Sequence, residues 1–194
     1  MAKNWKHTKK LLEDLLCDKL KGHVTYQLHC YRPDDDWAGH LEIRLDKKPI
    51  FKASNYLAEN PNYCVHISEA EIRNIMTKYL KATSSSGFAE VNSTSIRTAA
   101  GFICSYIRNY QRQEQGRIFL EDAMVLLGEY LSSDIETSLK SDSPFINALA
   151  VLDRRVGKYR LQKMADKGSN IAPQWAWPFY QARFEAEEIK YFLQ

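Results

Sequence analysis

Hydrophobic positions change period twice along the chain, from helical spacing to strict alternation near residue 24 and back to helical spacing from residue 67. Trp5, Leu12, Leu15, Leu16 and Leu20 predict an amphipathic helix over 4–20, closed by Gly22. Val24, Tyr26, Leu28 and Cys30 then alternate with Thr25, Gln27, His29 and Tyr31. Leu41, Ile43 and Leu45 do the same with Glu42, Arg44 and Asp46. Period two is the mark of half-buried strands. Asp46-Lys47-Lys48 reads as a turn, although it lacks the glycine such turns favour, and Pro49 to Ala53 as a third strand. The segment is expected to be an antiparallel meander with one covered face.

From Ile67 the pattern is helical. Ser68 to Glu71 reads as a capping box, with Ile67 and Ile72 at the staple positions. Ser84-Ser85-Ser86-Gly87 is the candidate hinge. Ile96 through Tyr110 predict a helix, Phe119 through Tyr130 another, and Ser133 to Glu136 a second capping box. Pro173 or Pro178 begins an aromatic last helix. The expected class is α+β: an N-terminal helix plus a small antiparallel β-meander, then a C-terminal helical bundle. The expected division is 1–83 and 88–194, as parts of one compact unit.

The most distinctive stretch is Ser143 to Met164. Ser143 suits an N-cap and Pro144 the first helical position. Phe145, Leu149, Leu152 and Val156 would form one buried face, with Gly157 ending the helix as a C′ residue and Lys158 to Met164 as a further turn or short helix. Over 153–167 the cations Arg154, Arg155, Lys158, Arg160, Lys163 and Lys167 face only Asp153 and Asp166. Two readings stand. In one, the cations complement a helix C-terminus and pair with Glu185, Glu187 and Glu188 of the last segment. In the other, Arg154, Arg155, Lys158, Arg160 and Lys163 form an anion site for phosphate, nucleic acid or an acidic protein, beside Trp175 and Trp177. Those tryptophans are core by default. If exposed, they would suit a homodimer contact or a stacking surface.

Composition narrows the class. A 194-residue chain with 44% hydrophobic and 12% aromatic residues can bury a sizeable core. A net charge of +3 is too mild to imply nucleic-acid binding by itself. Cys17, Cys30, Cys64 and Cys104 are scattered without a C-x-x-C pair and read as reduced thiols of a cytoplasmic protein. No apolar run is long enough to span a bilayer, so no membrane partner is expected.

Phosphate-loop, dinucleotide-loop, serine-elbow and HExxH motifs are absent from the sequence. No cofactor is expected, and the chain reads as non-enzymatic. Three weak constellations form the alternative, a metal-binding protein or small enzyme working in the strand region. Asp34, Asp35 and Asp36 with His40 could hold a cation, though the same residues are ordinary turn chemistry. Cys64 and His66 share a strand face without a third orienting group. His23 and His29 share parity and could approach His40.

Ala148 to Lys158 (ALAVLDRRVGK), Phe179 to Glu187 (FYQARFEAE) and Leu16 to Gly22 (LCDKLKG) resemble a family of small bacterial proteins with no assigned activity. The resemblance spans most of the chain. It implies a bacterial, cytoplasmic origin and supplies no catalytic residues.

Overall fold

The computed structural model describes residues 4–32, 35–54, 113 and 115–191, apart from the side chains of 30–38 and 169. The expectations for 55–112, including the hinge at 84–87 and the Cys64/His66 pair, lie outside these residues. Helix α1 spans Trp5–Leu15. Strands β1 (Val24–Arg32), β2 (Asp35–Leu45) and β3 (Lys48–Ser54) follow. Helices α2 (Leu120–Ser132), α3 (Ile135–Leu139), α4 (Pro144–Leu152), α5 (Lys158–Ala165) and α6 (Trp177–Ala186) complete the described elements. This is the expected α+β arrangement. No described helix is long and apolar enough to cross a membrane.

The sheet is antiparallel in the order β1-β2-β3. Its register pairs Tyr26 with Ile43 and Leu28 with Leu41, and Ile43 with Phe51 and Leu41 with Ala53. That apolar face packs on the helices. The opposite face carries Gln27, His29, His40, Glu42, Lys52 and Ser54, because side chains alternate along each strand. On edge strand β3 the pairing slips between Ile43 and Arg44, next to Pro49, which has no N–H to give a ladder.

The β2–β3 turn is a two-residue hairpin in which Asp46 (φ 48°) and Lys47 (φ 69°) are both left-handed. Asp46 donates its N–H to the His23 carbonyl at 3.0 Å, and its carboxylate lies 2.7 Å from His23 Nδ1. These contacts support a conformation that a side chain at Lys47 disfavours. Lys47→Gly should therefore stabilise the protein by about 1 kcal/mol, a rise of about 3 °C in a thermal melt.

The chain leaves α1 earlier than its hydrophobic spacing predicts. Leu16 and Cys17 are extended and bridge the chain leaving α4. The Cys17 N–H donates to the Leu152 carbonyl at 3.0 Å, and the Arg154 N–H to the Leu15 carbonyl at 2.8 Å. Burial of Leu16, Cys17 and Leu20 favours this pairing over a further helical turn. Gly22 (φ 83°) then turns the chain into β1.

Helix α4 is the hub. Ser143 caps it, accepting from the Ile146 N–H, and Pro144 opens it. It is buried on all sides rather than along one stripe, since Ile146, Ala148, Ala150 and Val151 are buried with Phe145, Leu149 and Leu152. Half-buried Asn147 is satisfied by the Ser138 and Ser141 carbonyls. The helix stops at Leu152, capped by Asp153, so Val156 is buried beyond its end. Gly157 is the N-cap of α5 in extended conformation, not a left-handed C′ residue. The cap of α3 is Asp134 rather than Ser133, its carboxylate accepting from the Thr137 N–H (2.9 Å) and hydroxyl (2.7 Å).

Candidate functional site

The basic segment divides into committed and uncommitted cations. Asp153 is buried, and Arg155 grips it with Nε and Nη2 at 2.6–3.1 Å. Arg160 Nη1 lies 2.6 Å from Glu136. The partners are thus Asp153 and Glu136, not the glutamates of the last segment. Glu187 instead pairs with Lys19 and with buried Arg183, whose Nη2 donates to the Val156 carbonyl at 2.9 Å. Glu185 accepts from the Tyr191 hydroxyl.

Arg154, Lys158, Lys163 and Lys167 are exposed and make no close ion pair with a described carboxylate, although Arg154 acts on Asp18 at longer range. Lys163 Nζ instead sits 4.5 Å from the centre of the Tyr159 ring. Tyr159 is 74% exposed, the most exposed large hydrophobic side chain among the described residues. Sequence reasoning passed over Tyr159, although its place off the buried α5 positions Leu161 and Ala165 was a readable signal.

The tryptophans lie elsewhere. Trp177 is buried in the core and meets Tyr180, Phe184 and Tyr191. Half-buried Trp175 packs on Phe51 and Phe179. A Cβ on Gly116 (φ 70°) would come within 2.6 Å of the Trp175 ring, so that glycine is what lets the indole close. Both side chains serve packing.

The polar sheet face forms a second constellation. His29 and His40 are direct cross-strand partners with rings stacked 4.5 Å apart at 20°. Glu42, two residues along β2, brings Oε1 to 3.3 Å from His40 Nε2. Arg44 holds Oε2 with Nε at 2.8 Å and Nη2 at 2.7 Å, and Lys52 Nζ lies 3.8 Å from Oε1. Burial lowers the affinity of His40 for a proton, with Lys52 and His29 adding to this against Glu42. Burial pushes the Glu42 carboxyl up, but Arg44, His40 and Lys52 outweigh it and leave it below its ordinary range. At neutral pH the face therefore presents a neutral imidazole beside a carboxylate. His23 stays at the other end of β1 with Asp46. The side chains of Asp34, Asp35 and Asp36 lie outside the described residues. Glu42 was not among the sequence candidates, although period two from His40 already places it on the same face.

A cleft of about 340 Å³ lies between Ser141–Asn147 and Asn170–Pro173, closed by Tyr180. Among the described residues it offers a single carboxylate, Asp142, and no histidine, cysteine or cation, so none of their reactive groups converge there.

No curated protein and no solved structure matches the chain. A family model described as the SF0329 protein family matches residues 4–184.

Proposed function

This chain belongs to the SF0329 protein family, and on that premise we propose that it is a non-enzymatic binding protein of the bacterial cytoplasm that engages an acidic protein surface. The working surface is Arg154, Lys158, Tyr159 and Lys163. One observation carries this reading: the exposed cations of this segment make no close ion pair with a described carboxylate, and one of them, Lys163, stands on a tyrosine that is itself 74% exposed. Arginine and tyrosine are over-represented among the residues that dominate protein–protein affinity, and uncommitted charge speeds encounter with an acidic partner. A nucleic acid fits less well, since three cations neutralise few phosphates and the whole chain carries only +3. The cytoplasmic setting rests on the resemblance to bacterial proteins and on cysteines that form no sequence pair.

The test compares wild-type protein with Tyr159→Ala and with the triple substitution Arg154→Ala/Lys158→Ala/Lys163→Ala. Each is used as bait in lysate of the native host, and each is titrated with single- and double-stranded oligonucleotides at rising salt. The expected result is one protein captured by wild type and lost, at least about tenfold, in both variants, with melting temperatures nearly unchanged. Equal capture by the triple variant overturns the proposal. So does tight oligonucleotide binding with a log–log salt slope of about −3, which would make the surface a phosphate site.

A further inference from the structure

We propose that His29, His40 and Glu42 form a binding site for a divalent transition-metal ion, Zn²⁺ above all, on the polar face of the sheet. This goes beyond the docking surface and uses different elements. Two imidazoles and one carboxylate are a common protein ligand set for zinc, leaving a position for water or a further ligand. One ligand atom from each residue lies within 4.8 Å of the others. Ligand atoms around tetrahedral zinc stand about 3.4 Å apart. His40 Nε2 and Glu42 Oε1 are already at 3.3 Å. Closing the triangle is left to His29, which is exposed and can change rotamer.

The backbone holds the set in place. His40 and Glu42 are on the central strand, and His29 is the hydrogen-bonded neighbour strand's residue directly across from His40. Arg44 takes only Oε2, orienting the carboxylate and leaving Oε1 toward the imidazoles, as outer partners of metal ligands do. Two nearby cations oppose a third. Arg44 stays on Oε2, but Lys52 reaches Oε1 at 3.8 Å with a half-exposed side chain and must swing away when a metal enters. The site is therefore one in which Lys52 and the ion compete for the same oxygen, a signature that adventitious surface chelation lacks.

The experiment uses the untagged full chain after chelator treatment, titrated with Zn²⁺ calorimetrically and with Co²⁺ by visible absorption. One ion per chain is expected, with micromolar or tighter affinity and a cobalt spectrum of low coordination number. His29→Ala, at an exposed position, should weaken binding on the order of a hundredfold and abolish that spectrum. Lys52→Met should strengthen it about tenfold by removing the competing charge. His23→Ala should leave it unchanged. Absence of stoichiometric binding overturns the proposal, as does binding that is equal in His29→Ala, which would put the ion elsewhere. Neither outcome bears on the Tyr159 surface, which contains none of these residues.

Discussion

Replacing Asp153 with alanine should remove about 3 kcal/mol of folding stability and lower the melting temperature by about 10 °C. Asp153 is the C-cap of α4, and its side chain has no exposed surface. A carboxylate at a helix C-terminus meets the negative end of the dipole, so it needs strong compensation. It receives four donors: the Tyr130 hydroxyl at 2.7 Å, the Arg155 N–H at 2.8 Å, and Arg155 Nε and Nη2. Burial pushes the Tyr130 hydroxyl far above its ordinary pKa, and Asp153 adds to this, so the phenol remains a donor. Removing the carboxylate strands that buried hydroxyl, at the residue whose backbone pairs with Leu16 and holds α1 on the hub. Tyr130→Phe removes one neutral donor and should cost only about 1 kcal/mol. Asp153→Asn should fall between, since it keeps an acceptor for Tyr130 and loses the charge pairing. Arg155 is about one-third exposed, so solvent softens Arg155→Ala to about 2 kcal/mol. Equilibrium denaturation of the four variants checks the order. If Asp153→Ala cost no more than Tyr130→Phe, the buried pair would contribute nothing net.

Phe145→Ala should cost still more, about 4 kcal/mol. Phe145 is fully buried at the start of α4, with its ring 4.7 Å from that of Phe51 on β3. Phe51 in turn meets Trp175 at 5.3 Å and Phe179 at 6.5 Å. The Phe51 ring, seated on Phe145, therefore joins the sheet to both the hub helix and α6. The neighbours of Phe145 are held by strand pairing and by a helix buried at every position but Asn147, so they collapse poorly into the cavity that alanine leaves. Phe145→Leu should retain much of the packing and cost about half as much. Chemical denaturation gives the comparison directly. A loss below about 1 kcal/mol in Phe145→Ala would mean that the aromatic cluster does not bind sheet and helices into one core.

The legible parts of the site differ in kind. Parity along β1 and β2 was enough to bring His29 and His40 to one face, and it would have added Glu42. It could not separate His23 from them, because distance along a strand matters as much as face, and His23 lies outside the paired stretch with Asp46. Within 153–167, spacing showed six cations but not their partners. Arg155 turns back on Asp153, and Arg160 reaches Glu136 on α3, a contact between segments that only packing creates. That division makes Arg154 with Lys158 and Lys163 the informative substitutions. A change at Arg155 would mix binding with stability.

The sequence by itself determined the helical spacing of α1 and α2, the alternation along β1 and β2, the α+β order, the Ser143-Pro144 helix start and the turn that begins at Asp46-Lys47. These are local matters of side-chain spacing, fixed φ and hydrogen bonding within a few residues. Only the tertiary structure decided that α1 stops at Leu15, that α4 is buried on every side and that Gly157 starts a helix instead of ending one. The physical reason is the same in each case. Backbone groups at Leu15, Cys17, Leu152 and Arg154 find partners across 135 residues of chain or more, and burying that bridge with Leu16 and Asp153 outweighs the local preference to continue a helix.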